Sequence, residues 1–196
     1  MAEDIRTFLF VLTSGRKNGN AELLARHAAK ALPARHRQIW LDAGAMQLPL
    51  FEDRRHSGGQ HPWPEGDLKT LFEATLAATD LVFVAPVYWY SIPAPAKLYL
   101  DHWTDWLRLE GVNFKARMAE TRFWAVSMLS DHDLPKAGPT IDTLKLCADY
   151  VGASWGGSVI GVGNRPGDVL KEPAALRDAE RLFAEGGDFT SAFADR

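Results

Sequence analysis

The sequence has little of what marks several common classes of protein. It contains a single cysteine, Cys147, so no disulfide can form within one chain and a reducing compartment is favoured. No apolar run approaches the roughly 20 residues of a membrane-spanning helix, and the acidic N-terminus is not typical of a signal peptide. We therefore expect a cytoplasmic protein without a membrane partner, in which Cys147 is a small core residue rather than a nucleophile.

A strong charge of either sign is also missing. The formal net charge is −3, which gives no general attraction to nucleic acid or to an anionic membrane, so any anion site must be local. The six histidines show none of the spacings of zinc motifs, and no metal site is predicted. With 46% apolar and 24% charged residues, the chain is expected to fold as one globular domain spanning residues 1–196.

What the sequence does contain is a regular alternation of short apolar runs and helical segments. Strands are predicted at residues 7–12, 37–42, 80–85, 121–129 and 157–162, and helices at 21–32, 68–78, 94–106, 140–150 and 172–185. We expect Asp67 to be the N-cap of the second helix, Gly152 to lie near the end of the fourth, and residues 107–120 to be a polar connector. This order predicts an α/β fold, with a mostly parallel sheet and helices on both faces.

The loop after the first strand has the parts of an anion site. Its sequence is TSGRKNGN at residues 13–20, and its glycines expose backbone amides just before a helix N-terminus. The donors available to a phosphate are Ser14, Arg16, Asn18 and Asn20, beside Gly19. The spacing is not that of a P-loop. The alternative interpretation is a plain capped turn with solvated basic residues.

The loop after the third strand is unusually aromatic, with the sequence APVYWYSIP at residues 85–93. Because neighbouring side chains in extended chain point in opposite directions, Tyr88, Trp89 and Tyr90 cannot all face a core. At least one ring is expected at the surface or against a ligand; the alternative is packing of the rings on the neighbouring helix. For a sheet of strand order 2-1-3-4-5, both loops lie where the order reverses, which is where ligands bind.

These two stretches resemble the NAD(P)H-dependent FMN reductase family of flavodoxin-like flavoproteins. Lys97, Asp101 and the segments at residues 41–42 and 48–53 extend the resemblance over roughly residues 6–130. It implies a three-layer flavodoxin-like fold that binds FMN, with NADPH or NADH as co-substrate. The implied phosphate contacts are Ser14, Arg16, Asn18, Gly19 and Asn20, and the implied borders of the flavin ring are Pro86, Val87, Tyr88, Trp89, Tyr90 and Ser91.

The chain departs from the family's pattern at two places. The family often has glycine where Tyr90 stands, so a more crowded ring loop is expected. Its third flavin loop is usually rich in glycine, whereas SMLSDH at residues 127–132 contains none. Ser130 and His132 are then the candidates for contacts with the polar edge of the ring, although an exposed loop histidine is the alternative for His132.

The resemblance implies an enzyme that passes a hydride from NAD(P)H to a small acceptor, by ping-pong, without a catalytic side chain. The acceptor would be a quinone, free flavin, azo or nitro compound, and backbone amides of residues 87–91 would contact the flavin. Family members are commonly homodimers or homotetramers, and residues 54–66 are expected either to cover the substrate side or to form a solvated loop.

Two other hypotheses about the function stay open. A flavodoxin-type electron carrier would bind FMN without a substrate of its own; such carriers are usually more acidic, which Arg16 and Lys17 oppose. A flavodoxin-like binding or regulatory module that has lost its flavin is the third interpretation, which the glycine-poor third loop keeps open.

Overall fold

The computed structural model describes residues 5–56 and 61–184, and within them five parallel strands form one sheet. The strands run in the order β2-β1-β3-β4-β5. Their bounds are β1 Thr7–Leu12, β2 Arg37–Asp42, β3 Asp80–Val84, β4 Arg122–Leu129 and β5 Ser154–Val162. The fold class and strand order expected from the sequence are confirmed.

Helices cover both faces of this sheet. One face carries α1 (Asn20–Ala29) and α6 (Pro173–Leu182). The other face carries α2 (Gly66–Ala77), α3 (Ala94–Trp106), α4 (Phe114–Ala119) and α5 (Gly138–Val151). None of the helices within residues 5–56 and 61–184 has the length and apolar character needed to cross a membrane.

The sheet lies between two apolar cores because successive residues of a strand point to opposite faces. In β1, Leu9 and Val11 belong to the core under α2 to α5, whereas Phe8 and Phe10 belong to the core under α1 and α6. Strands covered on both sides read as continuous apolar runs, which is why β1 and β3 could be predicted closely. Cys147 lies outside both cores; it is half-buried on α5, where burial raises the pKa of its thiol.

The amino ends of three strands are joined by one buried carboxylate. Asp80, at the start of β3, is fully buried and accepts hydrogen bonds from Arg6 Nε, Trp124 Nε1 and Thr79 Oγ1, each at 2.8 Å. A buried charge needs such partners, and losing its cation costs about 3–5 kcal/mol. This network therefore fixes the edge of the sheet opposite to the one where ligands are expected.

Two expectations about the middle of the chain are wrong. Helix α2 begins after Glu65, and Asp67 lies in its first turn, where the carboxylate accepts the backbone N–H of Gln47 at 2.7 Å. The charge thus ties the irregular 43–53 segment to the helix instead of capping it. Residues 107–120 are also more than a connector, because they contain α4, whose Phe114 and Met118 are buried in the larger core.

Element ends differ by up to three residues elsewhere. Strand β5 begins at Ser154, not at residue 157, because Ser154 and Trp155 already pair with Arg122 and Phe123. The adjacent glycines at 156–157 weaken the strand signal in the sequence. Helix α1 ends at Ala29, and the next three residues close it with tighter hydrogen bonds to carbonyls three residues back. Gly152 is the C-cap of α5 with φ +78°, as the sequence indicates.

Candidate functional site

A cavity of about 190 Å³ opens at the carboxyl ends of β1, β3, β4 and β5. Its lining combines the loop after β1, the start of α1, the loop after β3 and the ends of β4 and β5. The residues concerned are Ser14, Arg16, Gly19, Asn20, Ala21, Pro86, Val87, Tyr88, Met128, Ser130, Gly163 and Asn164. The cavity therefore lies at the reversal of strand order between β1 and β3, where the sequence places the ligand site.

The loop after β1 (residues 13–19) is held by its own backbone and by β3. Thr13 donates to the carbonyl of Val84 from both its N–H, at 3.1 Å, and its hydroxyl, at 3.0 Å. The backbone N–H of Arg16 donates to Ser14 Oγ at 3.1 Å. Gly19 is the N-cap of α1, and no described side chain caps this helix. The first-turn N–H groups and the positive end of the helix dipole are thus left for an external acceptor.

The predicted phosphate donors divide into two groups. Ser14 and Arg16 line the cavity, whereas Asn18 does not: it has φ +52°, is exposed, and gives its backbone N–H to Glu22 Oε2 at 2.9 Å. The side chain of Asn20 donates to the carbonyl of Arg165 and accepts the N–H of residue 167, both at 2.9 Å. Its amide therefore holds a neighbouring loop, and its role as a direct phosphate ligand stays a prediction.

That neighbouring loop, residues 163–168, was not among the predicted site residues. Gly163 and Asn164 line the cavity, and Arg16 Nη1 donates to the carbonyl of Asn164 at 3.3 Å. Asp168 accepts the backbone N–H groups of Arg165 at 2.7 Å and Asn164 at 3.2 Å, which holds the pKa of its carboxyl below the usual value. Its position just after β5 was the available signal, because all carboxyl ends of a parallel sheet meet at one edge.

Gly44 is a second residue that the sequence did not single out. It lies directly behind the loop after β1: a Cβ added there would be 2.5 Å from the carbonyl oxygen of Ser14 and 3.2 Å from Asp42 Oδ1. The position therefore requires glycine because of this close approach of two backbones.

The loop after β3 forms a tight two-residue turn with aromatic residues at both central positions. Tyr88 and Ser91 exchange backbone hydrogen bonds of 3.0 and 3.1 Å around Trp89 and Tyr90, whose φ angles are +51° and +62°. Left-handed angles at both central positions define a type I′ turn, which normally contains Asn-Gly. Residues with a Cβ pay about 1–2 kcal/mol each for this conformation, so the turn stores strain.

All three rings of this turn are exposed, which confirms that they do not all face a core. Trp89 is 94% exposed, and the alternative of rings packed on the neighbouring helix is wrong for it. The backbone has fewer donors to offer than expected: Val87 donates to Met128 at 2.8 Å, and the N–H groups of Tyr88 and Ser91 bond to each other's carbonyls. Trp89 and Tyr90 carry the N–H groups that these hydrogen bonds do not use.

The third predicted loop contributes one residue to the cavity. Ser130 is among the lining residues. His132 is exposed and lies outside the lining, in the position of a loop histidine.

The irregular segment after β2 packs against α3, although the prediction for residues 54–66 falls partly outside the described residues. His61 Nδ1 lies 2.5 Å from Asp105 Oδ1, and His102 Nε2 lies 2.8 Å from the carbonyl oxygen of Pro49. Trp63 is mostly exposed, with its ring edge on Phe72. These contacts attach the segment to its own chain rather than to the cavity.

Comparison with known proteins matches both the sequence and the fold. Residues 6–119 match a family model described as a flavodoxin-like fold. YwqN of Bacillus subtilis (strain 168), provisionally named an NAD(P)H-dependent FMN-containing oxidoreductase, is 33% identical over 169 residues, which is 86% of this chain and 91% of that protein.

Solved structures agree. The Trp repressor binding protein from Bacillus subtilis has a TM-score of 0.70 at 25% identity, covering 91% of this chain and 98% of its own. The NAD(P)H:quinone oxidoreductase from Methanothermobacter marburgensis has a TM-score of 0.68 at 18% identity, with 91% and 94% covered. An FMN-dependent NADH-azoreductase from Bacillus anthracis str. Ames Ancestor, in complex with FMN, has a TM-score of 0.62 at 12% identity, with 90% and 97% covered. The last two establish a shared fold.

Proposed function

Because the chain belongs to the flavodoxin-like family, we propose that it is an FMN-dependent oxidoreductase that takes a hydride from NAD(P)H and passes it to a small acceptor. One observation carries the proposal. A single cavity at the reversal of strand order joins a basic, uncapped helix start with an exposed aromatic turn. These are the two surfaces that a phosphate and a flat ring require.

The chemistry of the residues present fits FMN. The Ser14 hydroxyl, the Arg16 guanidinium and the first turn of α1 form a donor set for a phosphate dianion. A volume of about 190 Å³ is below the roughly 300–1,000 Å³ of typical small-molecule sites. The cavity is thus large enough for the phosphate and the chain attached to it, while the ring is left to the open surface beside Tyr88 and Trp89.

Bound FMN would supply the hydride chemistry, and the protein supplies binding and orientation. Arg16 neutralises phosphate charge while its second contact, to the Asn164 carbonyl, keeps the guanidinium at the cavity. Buried Pro86 and the Val87–Met128 hydrogen bond fix the base of the turn against β4. The exposed turn leaves room for a nicotinamide and then an acceptor to use one face in succession, which supports a ping-pong order.

The same open, aromatic surface supports the proposed class of acceptor. Planar molecules such as quinones, free flavins, azo compounds and nitroarenes can stack there without a dedicated pocket.

The expectation of a cytoplasmic location stays a prediction.

The test is the visible absorption spectrum of the natively purified protein, before and after anaerobic addition of NADPH or NADH. We expect a flavin spectrum that bleaches with at least one of the two and returns when a quinone is added. A flavin that neither nucleotide reduces would instead indicate an electron carrier. Failure to take up added FMN would contradict the proposal.

We further propose that a second copy of this chain completes the ring side of the site. Helix α3 begins directly after the aromatic turn and forms with α5 an apolar groove of about 320 Å³, in which Leu146 is 68% exposed beside Leu100 and Leu107. A second copy seated along α3 would cover both this groove and the adjoining turn. Exposed apolar patches of this kind mark interaction surfaces.

This proposal predicts a dimer or tetramer in analytical ultracentrifugation. The variant Leu146→Asp places a charge in the groove and is expected to shift the protein towards monomer and to weaken FMN binding. The matched variant Asp142→Asn, which lies on the same helix outside the groove lining, should leave the oligomer unchanged. A monomeric wild type that binds FMN tightly would contradict the proposal.

A further inference from the structure

Tyr88 belongs to the aromatic turn, but its hydroxyl is directed to the other end of the cavity. The phenol oxygen lies 3.2 Å from Ser14 Oγ, in the loop that begins the predicted phosphate site. Both residues line the same cavity. This contact links two loops 74 residues apart in sequence, and it places Tyr88 at more than the border of the ring, which is all that the resemblance implies for it.

The contact has a direction, because a serine hydroxyl offers one proton and two lone pairs. One lone pair of Ser14 Oγ is already used by the backbone N–H of Arg16 at 3.1 Å. If Ser14 donates to Tyr88, it has no proton left for an anion. If Tyr88 donates to Ser14, both lone pairs are filled and the serine proton is available to a phosphate oxygen.

We propose that Tyr88 is a positioning residue for the phosphate of a bound mononucleotide, acting through Ser14. Its hydroxyl donates to Ser14 Oγ and so directs the serine proton to the phosphate. The inference rests on the proposed function, since it presupposes that a phosphate occupies this cavity. It adds a role that joins the aromatic turn to the anion site.

The backbone holds Tyr88 where this role requires it. The Tyr88–Ser91 hydrogen bonds close the turn on one side, and the Val87–Met128 hydrogen bond anchors the preceding residue to β4. The O···O distance of 3.2 Å is long for a hydroxyl pair, so the contact is modest when no anion draws on it. A phosphate that accepts from Ser14 makes the hydroxyl a better acceptor for Tyr88, because hydrogen bonds in a chain reinforce each other.

The experiment compares FMN with riboflavin, which has the same ring and ribityl chain but no phosphate. Tyr88→Phe keeps the aromatic ring and removes only the hydroxyl. Dissociation constants are measured by flavin fluorescence for wild type, Tyr88→Phe, Ser14→Ala and the double variant. Thr70→Val, which removes an exposed hydroxyl on α2 outside both the cavity and the α3–α5 groove, is the control.

We expect Tyr88→Phe to weaken FMN binding by about threefold to tenfold, the range of one hydrogen bond, and to leave riboflavin binding unchanged. In the Ser14→Ala background the same change should have no further effect, because the serine that Tyr88 orients is gone. Thr70→Val should leave both constants as in wild type.

Four results would overturn the inference. Equal weakening of FMN and riboflavin would place the hydroxyl's role at the ring or in the fold. Tighter FMN binding by Tyr88→Phe would show that the Tyr88–Ser14 hydrogen bond obstructs the cavity. Unchanged dissociation constants of Tyr88→Phe for both flavins, when the wild type binds FMN, would refute this inference alone. A wild type that binds neither flavin would refute the proposed function as well.

Discussion

The two ends of the cavity are built in opposite ways. The phosphate end, residues 13–20 with 163–168, is dense with hydrogen bonds: Asn20, Arg16 and Asp168 each tie one of its loops in place. The ring end, residues 86–91, exposes its aromatic side chains and holds two of them in left-handed backbone. The difference supports our proposals that one chain supplies the phosphate site and that a second copy completes the ring site.

The largest expected effect comes from removing the charge at the phosphate end. Arg16→Ala should weaken FMN binding by about 10- to 100-fold, because a charge-assisted hydrogen bond contributes about 1.5–3 kcal/mol. Riboflavin binding should change little. Arg16→Lys keeps the charge but loses the planar fork, and an intermediate affinity is expected. Unchanged FMN affinity in the alanine variant would show that the phosphate does not bind at Arg16.

A second substitution, at Gly44, acts on the phosphate end through the backbone behind the loop after β1. Gly44→Ala brings a Cβ against the Ser14 carbonyl, and overpacking of this kind costs about 1–3 kcal/mol in the free energy of unfolding. Urea titration measures the loss, and FMN titration should show weaker binding as the loop is displaced. Gly15→Ala is the matched control, because its Cβ would meet nothing within 4 Å. If both variants are equally stable, the close approach does not matter.

At the ring end, the expected change in the free energy of unfolding has the opposite sign. Replacing Trp89-Tyr90 by Asn-Gly supplies the residues that a type I′ turn prefers, and the free energy of unfolding should rise by about 1–2 kcal/mol. Binding of aromatic acceptors should weaken at the same time, because the rings are gone. Gly152→Ala, at φ +78°, makes the opposite change and should destabilise. A destabilised turn variant would mean that the rings support the fold.

The smallest expected effect is the pH dependence that the carboxyl group of Asp168 gives to the phosphate end. Its pKa in the folded protein is lowered by the two backbone donors, so its stabilisation is complete above the unfolded carboxyl pKa of about 3.9 and is lost as the pH falls through the folded value. The amide NMR signals of Asn164 and Arg165 should therefore stay constant at neutral pH and shift in acid. In Asp168→Asn this shift should disappear; its persistence would assign it to another group.

The fold was predictable because its signals are local. Buried parallel strands are continuous apolar runs, and β1 and β2 were predicted to the residue. Helix α4 was not predicted, since a six-residue helix depends on burying Phe114 and Met118 in a core that only the fold creates. Asp67 failed as a cap for the same reason: its partner, Gln47, is 20 residues away.

The lining of the candidate cavity was predictable where one segment supplies it, and not where separate segments meet. Ser14, Arg16 and the aromatic turn could be recognised from adjacent residues. The 163–168 loop, Gly44 and the inward contact of Tyr88 depend on distances across the fold. The turn type was also hidden, because Trp and Tyr at its centre contradict the propensities from which type I′ turns are recognised.

The extreme exposure of Trp89 gives the protein an optical property. Trp103, Trp106 and Trp124 are nearly or fully buried, whereas the indole of Trp89 stands in water at the tip of the turn. Its fluorescence should therefore be red-shifted and open to acrylamide, and a flavin or a second chain arriving at the turn would quench or shield it. The residue that costs the turn its relaxed geometry thus serves as an intrinsic reporter for whatever covers it.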